Sequence, residues 1–162
     1  MSEMGTGGVD AAVRQDVADV LVRYATGIDR RDWDLFRTCF TDDCQADYGD
    51  IGQWRGVDEI TEWMARSHEP CGHTLHRITN VAVSADGHDR VAARSYVDAL
   101  VLGPDDRTGV RAVGYYDDDL VRRAGIARSL DLGAVAEPVG RPAHLERALE
   151  WLNEALEDSP VP

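Results

Sequence analysis

Lysine is absent from this 162-residue chain, and all 17 basic residues are arginine. Without lysine the protein cannot form a Schiff base on a side-chain amine, and it cannot build a P-loop phosphate site. Acidic residues number 30, which gives a net charge of −13 at pH 7. A field of that sign repels phosphate backbones and anionic lipids. We therefore expect neither a nucleic-acid partner nor a membrane partner.

Cysteine is scarce, and long apolar runs are missing. The three cysteines are Cys39, Cys44 and Cys71. An odd count in a chain without a secretory signal predicts reduced thiols and a cytoplasmic protein. No apolar run approaches the roughly 20 residues that span a bilayer. The sequence predicts a polar, disordered lead over residues 1–9, one domain over 10–132, and a linker with an amphipathic helix over 133–162.

The apolar periodicity predicts helices first and strands after them. We expect a helix over 10–29 capped by Asp10, a short helix capped by Asp32, and further helices over 57–66 and 142–157. Strands are expected over 44–48, 74–84, 90–102, 109–121 and 126–132. Turn residues between successive strands predict hairpins, so the sheet should be mainly antiparallel and the fold class α+β.

An acid, a base and a hydroxyl occur at positions that such a fold would bring together. Tyr24 and Asp29 lie near the end of the first predicted helix, and His76 lies on a predicted strand. These groups suffice for proton transfer without a metal or an organic cofactor, so no cofactor is expected. Each also has a structural interpretation: Tyr24 as core packing, Asp29 as a helix cap and His76 as a buried core residue.

Four residues raise the question of zinc: His68, Cys71, His73 and His76. Their spacing is too compressed for a common structural zinc site, which pairs its ligands across a longer segment. His73 and His76 are an odd number of residues apart, so on a strand they would face opposite sides. We therefore expect no metal site.

Several motifs, in their order along the chain, resemble one family. They are Arg23-Tyr24-Ala25, Ile28-Asp29-Arg30-Arg31-Asp32-Trp33-Asp34, Phe40-Thr41-Asp42-Asp43, Asp47-Tyr48-Gly49, Thr74-Leu75-His76-Arg77-Ile78-Thr79-Asn80 and Gly114-Tyr115-Tyr116-Asp117-Asp118. Over residues 10–132 the chain resembles SnoaL-like proteins of the NTF2-like superfamily. The resemblance implies a cone in which N-terminal helices pack on a curved, mainly antiparallel sheet, here with an extra C-terminal helix.

The resemblance also implies a set of site residues. Dehydratases of the bile-acid 7α type have a Tyr, Asp and His triad that matches Tyr24, Asp29 and His76. Those of the scytalone type have a catalytic tyrosine that matches Tyr48, and their second catalytic histidine matches Val101. We therefore expect catalytic roles for Tyr24, Asp29, Tyr48 and His76. The expected substrate-binding residues are Trp33, Asn80, Val101 and Arg128.

The last predicted hairpin departs from the family pattern. Family members usually carry a Gly-x-Trp-Arg-Ile turn and strand, whereas residues 122–128 here lack the tryptophan and are a few residues shorter. We therefore expect an unusually tight turn at Ala124-Gly125, followed by the strand over 126–132.

The function implied by the resemblance is a cofactor-independent lyase of the dehydratase type. Its substrate would be a hydrophobic, oxygenated small molecule with a polyketide-like or steroid-like ring system, as in secondary metabolism. A polyketide cyclase or a ketosteroid-type isomerase would use the same Asp–His dyad. A non-catalytic NTF2-like binding module is the alternative outside catalysis. A homo-oligomer, either a dimer or a trimer, is expected.

Overall fold

The computed structural model describes residues 9–85, 89–122 and 130–137. The helices are α1 (Ala11–Arg30), α2 (Trp33–Arg37) and α3 (Val57–His68), and a short 3-10 helix covers Gly49–Ile51. The strands are β1 (Gln45–Asp47), β2 (Gln53–Arg55), β3 (Thr74–Ala85), β4 (Arg90–Leu102), β5 (Gly109–Arg122) and β6 (Leu130–Glu137). The predicted helix over 142–157 and the lead over 1–8 lie outside the described residues.

Both predicted helix caps at the N-terminal end are confirmed. The Asp10 carboxylate accepts a hydrogen bond from the Ala12 backbone N–H at 3.0 Å. The Asp32 carboxylate accepts one from the Leu35 N–H at 2.9 Å. Between the two helices Arg31 adopts the left-handed conformation, with φ of 56°, and its N–H bonds back to the carbonyls of α1. This reversal turns α2 back across the end of α1.

One six-stranded sheet carries the helices, in the order β2-β1-β6-β5-β4-β3. The pairs are antiparallel except β1 and β6, which run parallel. Most of the largest fully buried side chains come from α1, α2, α3 and β5. The core therefore lies between the helices and one face of the sheet, which confirms the α+β class.

A bulge in β3 overturns part of the predicted face assignment. The sequence pattern places His76, Ile78, Asn80 and Ala82 on one face. The pairing with β4 slips between Thr79 and Ala82, and Asn80 has a φ of 52°. Because the slip inserts an extra residue, the alternation reverses, and the buried residue beyond it is Val83 instead of Ala82. Asn80 is consequently exposed at the bulge.

The last hairpin is described in part. The structure describes β6 over Leu130–Glu137, and Leu130 pairs with Arg122. Residues 130–132 of the predicted strand over 126–132 therefore lie in β6. The tight turn predicted at Ala124-Gly125 and residues 126–129 lie outside the described residues. The polar edge strand β2 was not predicted, because three residues are too few for a recognisable alternation.

Gly27 fixes how closely the first two helices approach. A Cβ atom at this position would lie 2.9 Å from the Phe36 backbone nitrogen and 3.0 Å from its Cα atom. Both are backbone atoms of α2, so they cannot move aside as a side chain would. Phe36 is itself fully buried, and its position depends on this contact.

Gly27→Ala should therefore destabilise the protein. Overpacking costs about 1–3 kcal/mol, and the better helix propensity of alanine offsets up to about 1 kcal/mol of that. Urea unfolding should show a net loss of stability. Val22→Ala on the exposed side of the same helix serves as the control and should stay within about 0.5 kcal/mol of the wild type. Equal stability of the two variants would contradict the close packing.

Candidate active site

The end of α1 and the start of β3 bring Asp29 and His76 into contact. His76 Nδ1 lies 2.7 Å from Asp29 Oδ1, and the His76 backbone N–H donates to Asp29 Oδ2 at 2.9 Å. The His76 side chain is 9% exposed and that of Asp29 is 20% exposed. The carboxylate thus holds both the backbone and the ring of the same residue. The predicted contact of the dyad is present, and the ring orientation follows from it.

Thr74 and Arg31 support the dyad from the other side of the carboxylate. The Thr74 hydroxyl donates to Asp29 Oδ1 at 3.1 Å and accepts from Arg31 Nη1 at 2.8 Å. Arg31 also donates to the carbonyls of Gly72 and Ile28 at 2.8 and 2.9 Å. The guanidinium therefore reaches the carboxylate through a hydroxyl, and it ties the end of α1 to the segment that enters β3.

The electrostatics favour an ionised Asp29. Burial acts to raise its pKa, but the hydrogen bonds from the His76 ring, the His76 backbone and Thr74 outweigh burial and lower it. An ionised carboxylate can only accept, so the Nδ1 atom of His76 must carry the proton in this contact. The other ring nitrogen, Nε2, is then the basic atom when the ring is neutral.

A second imidazole lies beside the dyad. The ring centroids of His68 and His76 are 6.3 Å apart, and those of His68 and Trp33 are also 6.3 Å apart. His68 Nδ1 lies 2.9 Å from the Met64 carbonyl oxygen. Burial lowers the pKa of His68 to about 4, so this ring is neutral at pH 7. Sequence reasoning considered His68 only as a metal ligand and missed its place beside His76.

Three tyrosines form a buried cluster next to α1. The hydroxyl oxygens of Tyr24 and Tyr48 lie 2.8 Å apart. The Tyr116 ring centroid lies 5.8 Å from that of Tyr24 and 6.4 Å from that of Tyr48. Burial is the main cause that raises the pKa of all three phenols, to about 12 for Tyr116. All three are therefore neutral hydroxyl groups at pH 7.

Tyr116 belongs to a second set of inward-facing polar groups that the sequence analysis did not assign. Ser95 lies directly opposite Tyr116 in the pairing of β4 with β5, and Asp118 lies two residues further on the same face of β5. Ser95 is 0% exposed and Asp118 is 3% exposed. Strand alternation carried the signal for this set, because Tyr116 and Asp118 share a face of a predicted strand. The run Asp117-Asp118-Asp119 concealed it, since acidic runs usually lie on a solvated face.

The remaining predicted site residues lie in different surroundings. Val101 is buried and pairs with Thr74 across the sheet, so it lies beside the dyad. Trp33 packs edge-on against Phe36 and contacts the dyad only through His68. Asn80, exposed at the bulge, is not among the residues gathered around His76, which makes its predicted role in substrate binding unsupported. Arg128 lies outside the described residues.

Metal ligands do not come together in the described ranges. No group of three or more His, Cys, Asp or Glu side chains in residues 9–85 and 89–121 is placed to hold a metal ion. His73 and His76 do point apart. His73 is 86% exposed and contacts Asp106 at the surface, with Nδ1 2.9 Å from Oδ2.

The comparisons with known proteins decide the family. The family model for the SnoaL-like domain matches residues 9–128. The chain belongs to the SnoaL-like family. An uncharacterized protein of Mycobacterium tuberculosis (strain ATCC 25618 / H37Rv) is 31% identical over 114 residues, which cover 67% of this chain and 75% of that protein.

Solved structures agree on the architecture of this SnoaL-like protein. A candidate scytalone dehydratase from Novosphingobium aromaticivorans superposes with a TM-score of 0.69 at 16% identity, covering 78% of this chain and 83% of that chain. A hexachlorocyclohexane dehydrochlorinase superposes with a TM-score of 0.68 at 18% identity, covering 80% of this chain and 90% of that chain. At these identities the similarity shows the NTF2-like fold. None of the helices in the described residues is long and apolar enough to cross a membrane.

Thr74→Val should weaken the support of the dyad. The substitution removes the hydroxyl that accepts from Arg31 and donates to Asp29, so two charged groups each lose a hydrogen-bond partner. The expected cost is about 1–3 kcal/mol, measured by urea unfolding at neutral pH. Thr79→Val, on the exposed face of the same strand, is the matched control. If the two variants proved equally stable, the bridging role of Thr74 would be wrong.

Asp118→Asn should change how stability depends on pH. Burial holds the pKa of Asp118 well above its usual range, and the neighbouring charges of Asp117 and Asp119 raise it further. Above the unfolded-state pKa of about 3.9, the folded protein therefore keeps a proton that the unfolded chain has lost, so stability falls as pH rises. The asparagine variant cannot titrate and should gain stability over the wild type between about pH 5 and about pH 8. The exposed variant Asp119→Asn should show no comparable gain. If the unfolding free energy of Asp118→Asn, measured relative to the wild type, did not change with pH, the raised pKa of Asp118 would be wrong.

Proposed function

We propose that this SnoaL-like protein is a cofactor-independent lyase of the dehydratase type. It would act by general acid–base chemistry on a hydrophobic, oxygenated small molecule. The observation that carries the proposal is the 2.7 Å contact of His76 Nδ1 with Asp29 Oδ1. This contact assigns the proton to Nδ1 and leaves Nε2 as a base, which is the arrangement that proton abstraction from carbon requires.

In the proposed reaction His76 first accepts a proton and then donates it. His76 Nε2 removes a proton from a carbon next to a carbonyl group, and the electron pair of the broken C–H bond forms an enolate. Asp29 stabilises the imidazolium that results. When the enolate collapses, the C–O bond to the hydroxyl group on the next carbon breaks. The hydroxyl takes the proton from the imidazolium and leaves as water, so the ring returns to its neutral state.

The buried phenols supply the second requirement of this reaction. Tyr24 and Tyr48 are neutral and lie in a site shielded from water, where a hydroxyl donor stabilises an enolate oxygen strongly. A hydroxyl with a high pKa donates its hydrogen bond without losing its proton to the intermediate.

The comparisons support elimination chemistry in proteins of this fold. One structural neighbour is named for a dehydratase and another for a dehydrochlorinase, and both names denote loss of a small molecule from adjacent carbons. We infer the reaction class from this chemistry together with the dyad. We propose a polyketide-like or steroid-like ring system as the substrate, because the buried apolar residues Ala99 and Val101 lie opposite His76 and Thr74 in the sheet.

Two alternatives use the same geometry differently. An isomerase would use the same base but return the proton to another carbon. In a cyclase the enolate carbon would attack a second carbonyl group, and the alkoxide oxygen formed there would take the proton. A non-catalytic binding module would need the fold alone. The exposed apolar residues Leu75, Tyr96 and Val113 on the outer face of the sheet favour a protein contact there, which is compatible with a homo-oligomer of an enzyme as well as with a binding module.

The base is tested by hydrogen–deuterium exchange into 2-tetralone, a bicyclic ketone with acidic C–H bonds and no leaving group. The wild type in D₂O should accelerate incorporation of deuterium next to the carbonyl, as measured by mass spectrometry. His76→Ala should lower the enzymatic rate by about 10²–10⁴-fold, because it removes the base. Asp29→Asn should lower it less, because the base remains but loses its orientation and charge.

The surface pair of His73 with Asp106 is a built-in control. His73→Ala removes an imidazole with the same type of carboxylate contact, but from an exposed site. Its exchange rate should equal that of the wild type. Equal rates for His76→Ala and His73→Ala would refute the proposed base. Exchange without release of water from the matching β-hydroxy ketone would support the isomerase alternative over the dehydratase.

A further inference from the structure

Ser95 and Asp118 are buried polar groups whose hydrogen-bonding capacity is unused. Within the described residues, neither carboxyl oxygen of Asp118 nor the hydroxyl of Ser95 has a hydrogen-bond partner. Their neighbour Asp117 differs, because it points outward and pairs with Arg94. An unpartnered buried carboxyl group costs free energy. Two such groups, side by side on one inward face, indicate a site for a polar atom of a ligand.

The register shows that the two groups are neighbours. Ser95 lies opposite Tyr116, and Asp118 lies opposite Ala93. Ser95 and Asp118 are therefore diagonal neighbours on the same face, at a distance that one small polar group can bridge. On the other side of Asp118 the register position in β6 is Ala134. Because both positions flanking Asp118 are alanine, the sheet places no large residue directly beside the carboxyl group.

The hydroxyl groups of the tyrosine cluster complete this set. Asp118 influences the pKa of Tyr48 and of Tyr116, so it lies close to both phenols. Burial favours the protonated form of Asp118, and in that form the set contains one carboxyl, one aliphatic and three phenolic O–H donors. The hydrogen bond between Tyr24 and Tyr48, and the one between Tyr24 and Tyr116, occupy two of these five protons. Donors therefore remain for a ligand oxygen.

The charge of this set selects the kind of ligand. The charged groups that act on Asp118 are the carboxylates Asp117 and Asp119, and no arginine of the described residues is among them. A carboxylate or phosphate group would meet no compensating cation here, so it would be disfavoured. A carbonyl or hydroxyl oxygen can accept from the protonated carboxyl group without bringing a charge.

The distance from the dyad sets the length of the ligand. His76 pairs with Ala99, four residues along β4 from Ser95. At about 3.3 Å per residue, the two positions lie roughly 13 Å apart along the strand. A single ring is too short for this separation, whereas several fused rings span most of it.

We propose that Asp118 and Ser95 bind an uncharged carbonyl or hydroxyl oxygen at the far end of an elongated, fused-ring substrate. This inference rests on the proposed function, which places the reacting end of the same molecule at His76. It adds a second contact that selects ring systems with an oxygen remote from the reacting carbon.

The test compares binding of 2-naphthol and naphthalene to the full-length protein by fluorescence titration. In a purely apolar site naphthalene binds more tightly, because the hydroxyl group of 2-naphthol loses its hydrogen bonds to water there and gains none from the protein. We expect the wild type to bind 2-naphthol about tenfold more tightly than naphthalene. Asp118→Leu should reverse this preference, since leucine fills a similar volume without a donor. The exposed control Asp119→Asn should keep it.

Two further variants keep the test decisive if Asp118→Leu does not fold. Ser95→Ala removes only one oxygen atom and should reduce the preference for 2-naphthol about threefold. Asp118→Asn keeps a donor and an acceptor in the same place and should retain most of it. No preference in the wild type, or the same preference in Ser95→Ala and the wild type, would overturn the proposal.

Infrared spectroscopy observes the carboxyl group directly. The wild type should show the C=O stretching band of a protonated, buried carboxylic acid, and Asp118→Asn should lack it. The band should shift when 2-naphthol is added and should not shift with naphthalene. A band that is missing from the wild type, or one that 2-naphthol leaves unchanged because only buried water contacts the group, would refute the proposal.

These readouts separate this inference from the proposed reaction. Binding of 2-naphthol requires no turnover, so His76→Ala should keep the preference for 2-naphthol over naphthalene. If the preference holds while deuterium exchange fails, only the proposed lyase function is wrong. If exchange holds while the preference fails, only the site at Asp118 is wrong.

Discussion

The hydrogen bonds of one carboxylate with a histidine 47 residues away organise this molecule. Asp29 accepts from both the backbone N–H and the ring of His76, so it fixes a strand and a side chain together. Its position depends on the end of α1, where Arg31 reverses the chain and donates to three oxygen atoms. The close approach of α1 and α2 at Gly27 holds that helix end in place. The same few residues therefore hold the fold together and position the candidate site.

The pKa values of two carboxyl groups in the interior, Asp29 and Asp118, are shifted in opposite directions. Asp29 is partly exposed and accepts hydrogen bonds from the His76 ring, the His76 backbone and Thr74, which lower its pKa despite burial. Asp118 has burial and two neighbouring acids around it, and its pKa rises well above the usual range. The surroundings of Asp29 favour the anion that orients a base, and those of Asp118 favour the neutral form, which can donate a hydrogen bond. Environments that push two acids apart in this way are typical of sites that need both functions.

The sequence predicted the residues whose role depends on their immediate neighbours in the chain. It did not predict those whose role depends on how strands pair across the sheet. The caps Asp10 and Asp32 were predictable, because a capping side chain serves the helix that follows it directly. The catalytic role proposed for His76 came from a family resemblance, since a lone histidine on an apolar face has no distinguishing local pattern. The bulge at Asn80 could not be read from the sequence, because it depends on how two strands match across the sheet.

The buried polar set of Ser95, Tyr116 and Asp118 also depends on contacts across the sheet. Tyr116 and Asp118 alternate correctly on a predicted strand, but their meaning depends on Ser95 across the sheet and on Tyr48 from a distant segment. No linear spacing records these contacts. Strand register is decided by the burial of one whole face of the sheet, so a local motif is a poor guide to it.

The contrast between the two imidazole–carboxylate pairs argues for a functional interior. His73 with Asp106 and His76 with Asp29 have nearly the same contact distance, 2.9 and 2.7 Å, and they lie three residues apart in sequence. The first pair is exposed, where solvent weakens it and where a contribution to stability is small. The second is shielded and lies beside a neutral imidazole. A fold that needed only a structural link could use the exposed kind of pair. Burial of the second pair keeps a base with a fixed tautomer in surroundings that strengthen its electrostatic interactions. Such surroundings serve proton transfer more directly than they serve stability.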